Sequence, residues 1–163
     1  MKISEQWLRE WVAVRQDAKA LAERLTLAGI EVGAVTPVAA PLEHVVVGEI
    51  LSIASHPQAD RLRICQVNVG QKTPLTIVCG AANAAAGLKV PVALEGALLP
   101  NGTKITRTMI RGVESFGMLC AAAELGLEES SQGLLVLETE AKPGTSITKY
   151  LQLDDQQLEI ELT

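Results

Sequence analysis

The chain has 163 residues, 48% of them hydrophobic and 2% aromatic, with a formal net charge of −5. That length is enough for one domain to bury a core without cross-links, and the composition excludes a disordered chain. No apolar run reaches the roughly 18 residues of a membrane span. The opening Met1-Lys2-Ile3-Ser4-Glu5-Gln6-Trp7 lacks the basic and apolar regions of a secretory leader, so a cytoplasmic location is expected.

In chain order, Ser4 predicts an N-cap for a short helix in which Trp7, Leu8 and Trp11 share one face. Asp17 opens a second helix through Ala18, Leu21, Ala22 and Leu25, with Gly29 as the stop. Ile30-Glu31-Val32 then alternates like a strand. From residue 44 short β-rich runs follow one another: Val45–Ile53, Leu62–Val69, Leu75–Cys79, Val90–Leu94, Ile105–Arg111, Met118–Cys120 and Leu134–Leu137. Turn-forming stretches separate them, with no room for crossover helices. This spacing predicts a small antiparallel barrel or sandwich. The tail from Pro143 to Leu162 alternates apolar and acidic residues and stops inside an apparent strand, as a piece of a longer chain would.

Charge is unevenly spread. Residues 1–39 are neutral, 40–120 carry seven basic and five acidic side chains, and 121–163 carry two basic and nine acidic. Any polyanion contact is therefore expected in the middle segment, and a weak one.

Three clusters carry most of the chemistry. His56-Pro57-Gln58-Ala59-Asp60-Arg61-Leu62 reads as a rigid strand connection, because proline restrains His56 and Asp60 can bond nearby amides. No nucleophile stands beside it to make a catalytic pair. Cys79-Gly80-Ala81-Ala82-Asn83 reads as a tight strand-end turn, or as a nest of amides able to hold an anion. In Arg111-Gly112-Val113-Glu114-Ser115-Phe116-Gly117, glycines let the backbone approach a ligand; Arg111 suits phosphate contact and Ser115 can donate a hydrogen bond. Met118, Leu119 and Cys120 read as core.

Cys65, Cys79 and Cys120 are expected as buried, reduced thiols, since each sits in an apolar run. No metal site is expected: there is no Cys-x-x-Cys, and His44 and His56 have no ligands at suitable spacing.

Taken in order, the three clusters resemble the EMAP-type tRNA-binding domain over roughly residues 40–150. The flanks Met1-Lys2-Ile3-Ser4-Glu5-Gln6-Trp7-Leu8, Leu25-Thr26-Leu27-Ala28-Gly29-Ile30-Glu31-Val32 and Leu158-Glu159-Ile160-Glu161-Leu162-Thr163 look like parts of bacterial phenylalanyl-tRNA synthetase β subunits. The resemblance implies a mainly β fold with α+β flanks: an OB-fold-like antiparallel β-barrel inserted in a small α+β domain. It implies an N-terminal segment 1–38, a tRNA-binding domain 39–150, and a returning segment 151–163 that completes the first. It also implies a whole enzyme of two α and two β subunits that charges phenylalanine-specific tRNA with ATP and Mg²⁺, its active site lying in the α subunit. This chain would then hold no catalytic residues and no cofactor.

Within that frame Arg61, Arg63, Lys104, Arg107, Arg111 and Ser115 are the candidate tRNA contacts, holding backbone phosphates rather than stacked bases. Between residues 40 and 150 only Phe116 and Tyr150 are aromatic, too few for a stacking platform. A rival reading is a bracing module of the β subunit with little RNA contact. The net acidity favours it, as do Ala121-Ala122-Ala123, standing where the resembled family often has hydroxyl residues. A free-standing tRNA chaperone is a third reading, which the flanks disfavour.

Overall fold

The computed structural model describes residues 1–162. The chain divides into two compact units: Met1–Ala40 joined by the segment from Gln152 onward, and Pro41–Leu151 between them.

The first unit holds β1 (Lys2–Ser4), α1 (Glu5–Trp11), α2 (Ala18–Leu27), β2 (Val32–Pro37) and, from the returning segment, a last strand at Gln156–Ile160. That last strand lies between β1 and β2, antiparallel to both. Both helices start where a side chain accepts an orphan amide: the Ser4 hydroxyl takes the Trp7 N–H at 3.0 Å, and Asp17 takes the Ala20 N–H at 2.8 Å. Leu21, Ala22 and Leu158 form the core, with Leu8 packed against them. The aromatic face of α1 departs from burial. Trp7 and Trp11 are 54% and 73% exposed and meet edge to face at 6.2 Å between ring centroids. The residue that α1 buries is Glu5, bonded by Arg9.

The second unit contains β3 (Val45–His56), β4 (Ala59–Asn68), β5 (Leu75–Cys79), β6 (Lys89–Leu94), β7 (Thr108–Ile110), β8 (Val113–Ser115), β9 (Gly117–Leu119) and α3 (Ile147–Tyr150); the returning strand of the first unit is then β10. Five strands form one antiparallel sheet in the order β5-β4-β3-β6-β9. The sheet nearly closes on itself. Phe116 N–H donates to the Thr76 carbonyl at 2.9 Å, and Val78 N–H donates to the Ser115 hydroxyl at 3.1 Å. Inward positions alternate along β4 and β5, where Cys65, Val67, Ile77 and Cys79 are buried, and they meet Ile50, Val90 and Val92 in one apolar interior. The fold is thus the mainly β, barrel-containing architecture that the sequence predicts.

Three local expectations are corrected. Leu134–Leu137 is not a strand; Leu135 and Leu137 donate singly to the Cys120 and Lys89 carbonyls, at 3.2 and 2.8 Å, in an irregular path. The strand expected over Ile105–Arg111 begins only at Thr108, because Ile105 bonds back to Ala97 in a separate turn. The strand at Met118–Cys120 lies one residue earlier, at Gly117–Leu119. The thiols of Cys65, Cys79 and Cys120 are free and buried. Burial is the main cause that pushes Cys65 up to about 11 and Cys120 to about 12, and it raises Cys79 as well.

Candidate nucleic-acid interface

Two hairpin tips of the barrel unit meet and carry the best-placed cations. In the first, Pro57 and Gln58 join β3 to β4, with His56 opposite Ala59. The His56 ring is 5% exposed. Its Nδ1 accepts the Gln58 N–H at 3.1 Å, which leaves the proton on Nε2, facing the Ile110 carbonyl at 3.1 Å. The histidine is therefore a pin between hairpins rather than a general base. Ile110 ends β7, and the second tip follows it directly.

That second tip is Arg111-Gly112, joining β7 to β8 with Ile110 opposite Val113. Both residues have positive φ, 47° and 86°. This is the backbone of a type I′ turn, which favours asparagine then glycine. Gly112 fits at no cost, whereas arginine at φ 47° is strained. The Arg111 guanidinium reaches back to the Gln58 carbonyl at 3.4 Å. Arg61 and Arg111 then line one depression of about 360 Å³ with Asp60 and Leu62, two cations against one carboxylate. Arg63 is exposed one alternation further along β4. Among the described residues none of Arg61, Arg63, Lys104 and Arg111 has a carboxylate partner within 4.0 Å.

Arg107 and Ser115 stand differently from expectation. Arg107 is ion-paired with Glu114, and its guanidinium carbon lies 5.0 Å from the Phe116 ring centroid. Arg107 donates that bond to the Glu114 carboxylate, which raises the guanidinium pKa and offsets part of its positive field, although the pair is solvent-exposed. Ser115 is 2% exposed, its hydroxyl accepting from Val78 N–H and donating to the Gly117 carbonyl at 3.1 Å. No hydroxyl remains there for phosphate. The expected donor is a barrel brace, because closing β5 onto β8 needs a partner for that amide.

The Gly80–Asn83 loop, read from the sequence as a turn or an anion nest, is partly committed within the fold. The Ala81 amide turns to the Cys79 sulfur at 3.4 Å, and the Asn83 side chain bonds the Leu134 backbone twice.

A larger cavity of about 670 Å³ is lined by Thr106, Thr108, Ile110 and Ser115 of the β7–β8 region. Lys104 lines it, and so does Glu124, whose carboxylate accepts the Ala121 N–H. The same carboxylate helps raise the Cys79 and Cys120 pKa values, secondary to burial. Sequence reading missed Glu124. Among the described residues no group of three His, Cys, Asp or Glu side chains could hold a metal ion, and no helix is long and apolar enough to cross a membrane.

Residues 45–146 match the family described as "Putative tRNA binding domain". The whole chain is 56% identical to a protein of Methylococcus capsulatus named phenylalanine–tRNA ligase beta subunit, of which it covers 21%. It is 53% identical to the protein of that name from Pseudomonas putida, covering 20%. The chain thus spans about a fifth of the length of these relatives. Among solved structures, a MetRS related protein from Pyrococcus horikoshii aligns at TM-score 0.49 and 22% identity, over 63% of this chain and 87% of that one.

Proposed function

Given that this chain belongs to the tRNA-binding domain family, we propose that it is the tRNA-holding accessory module of a phenylalanine–tRNA ligase β subunit. The longer protein would pair with an α subunit in a cytoplasmic enzyme that charges phenylalanine-specific tRNA. Identity along the whole of this chain to about a fifth of such β subunits supports that context. ATP and Mg²⁺ belong to that enzyme's catalytic centre, and the donor sets described here do not suit a metal ion.

The mechanism is electrostatic. Arg61, Arg63 and Arg111 take successive backbone phosphates, with Lys104 and, more weakly, Arg107 extending the track. Guanidinium groups suit phosphate because their planar N–H pairs bond two oxygens at once. One observation carries the reading: the His56–Ile110 contact docks two hairpins so that Arg61 and Arg111 flank one depression, where Asp60 also lies but, among the described residues, no carboxylate stands within 4.0 Å of either guanidinium. Phosphate contacts of this kind fix register and orientation, not sequence.

A bracing role is favoured by one observation, the ion pairing of Arg107 with Glu114. Titrating the full enzyme with tRNA at several salt concentrations separates the two. Tracking predicts a log–log salt slope of about −0.7 to −0.9 per phosphate, reduced by Arg61→Glu with Arg111→Glu. Unchanged affinity and slope in that variant would leave bracing as the function.

A further inference from the structure

We infer that the 670 Å³ cavity beside the β7–β8 hairpin accepts one unstacked guanine nucleotide. Its size lies within the roughly 300–1,000 Å³ typical of small-molecule sites. Its lining includes the apolar side chains of Ile105, Met118, Leu119 and Leu134, which suit the face of a flat heterocycle. Two charged side chains, Lys104 and Glu124, line the cavity as well. Lys104 is exposed and free of any carboxylate within 4.0 Å among the described residues, so an anionic group can dock there.

The other charge selects the base. The Glu124 carboxylate is held by the Ala121 amide and still has lone pairs available. A carboxylate only accepts hydrogen bonds. Guanine alone among the four bases offers two adjacent donors, N1–H and the 2-amino group, on one edge. Adenine and cytosine each set a ring-nitrogen acceptor beside their amino group, which would face the carboxylate and repel it. Uracil offers one N–H flanked by two carbonyl oxygens. The cavity therefore favours guanine, with its phosphate toward Lys104.

The guanine has two possible sources, an unpaired residue of RNA or a free mononucleotide. Only the first rests on the tRNA-binding reading. Equilibrium dialysis of the full chain against GMP, AMP, CMP and UMP tests the cavity without any RNA. GMP should be retained at least about tenfold more tightly than the others, in line with the discrimination of a well-paired base edge. Guanosine should bind more weakly than GMP, and Glu124→Gln should flatten the preference. Equal retention of all four, or none retained, overturns the inference, and the unsubstituted chain decides this even if the variant misfolds. Displacement of GMP by tRNA assigns the guanine to the RNA; simultaneous binding assigns it to a free nucleotide. Arg61→Glu with Arg111→Glu should weaken tRNA binding and reduce its salt slope while leaving GMP retention intact, so failure of one reading is distinguishable from failure of the other.

Discussion

Asn83 and Leu134 exchange two hydrogen bonds: the Asn83 amide donates to the Leu134 carbonyl at 3.1 Å, and the Leu134 N–H donates to Asn83 Oδ1 at 2.8 Å. One side chain thus imitates the pairing of a strand residue and fixes a segment that no strand holds. Gly133 is part of the device, since a Cβ there would lie 2.4 Å from Asn83 Oδ1, and its φ is 80°. Asn83→Ala should lower unfolding free energy by about 1–3 kcal/mol, because two partly buried backbone groups lose their partner. Asn83→Asp keeps the acceptor for Leu134 N–H but turns a carboxylate oxygen toward the Leu134 carbonyl, so it should not restore the stability. Urea unfolding of both variants checks this.

Arg111 holds a positive φ at a hairpin tip where asparagine would be easier. Arg111→Asn should raise stability by about 1 kcal/mol and weaken tRNA binding. Thermal melts and filter binding on the same preparation measure the two effects. A variant that gains stability with unchanged tRNA affinity would remove Arg111 from the interface.

Glu114 restrains Arg107. Freeing that guanidinium should strengthen tRNA binding, so Glu114→Ala should steepen the log–log salt slope by about 0.7–0.9, one phosphate's worth. Arg107→Ala should weaken binding less than Arg61→Ala. Equal losses would mean that the ion pair opens when RNA arrives.

The buried thiols make stability depend on alkaline pH. Their folded pKa values lie above the ordinary 9.0, with Cys65 near 11 and Cys120 near 12. A raised value means that the folded chain keeps its protons longer than the unfolded one. Their contribution is therefore complete below pH 9 and is lost as pH rises toward 11–12. Urea midpoints should fall across that window, and thiol reagents at pH 8 should label the native chain far more slowly than the unfolded one. Rapid native labelling of Cys65 would contradict its burial.

What the sequence determined was local. Ser4 and Asp17 announced their helices, because a cap acts on an amide three residues away. The alternation along β4 and β5 and the turns between strands likewise needed only neighbours in the chain. The cationic candidates were named from the same stretches, and Arg61 and Arg111 do meet. The tertiary structure alone decided which groups stayed available, since their partners are remote in sequence. His56 and Ile110 are 54 positions apart, Ser115 and Val78 37, and Asn83 and Leu134 51. Closing the barrel buries backbone donors and acceptors that must each find a partner, and that requirement took the Ser115 hydroxyl out of ligand binding and gave the Asn83 side chain to Leu134.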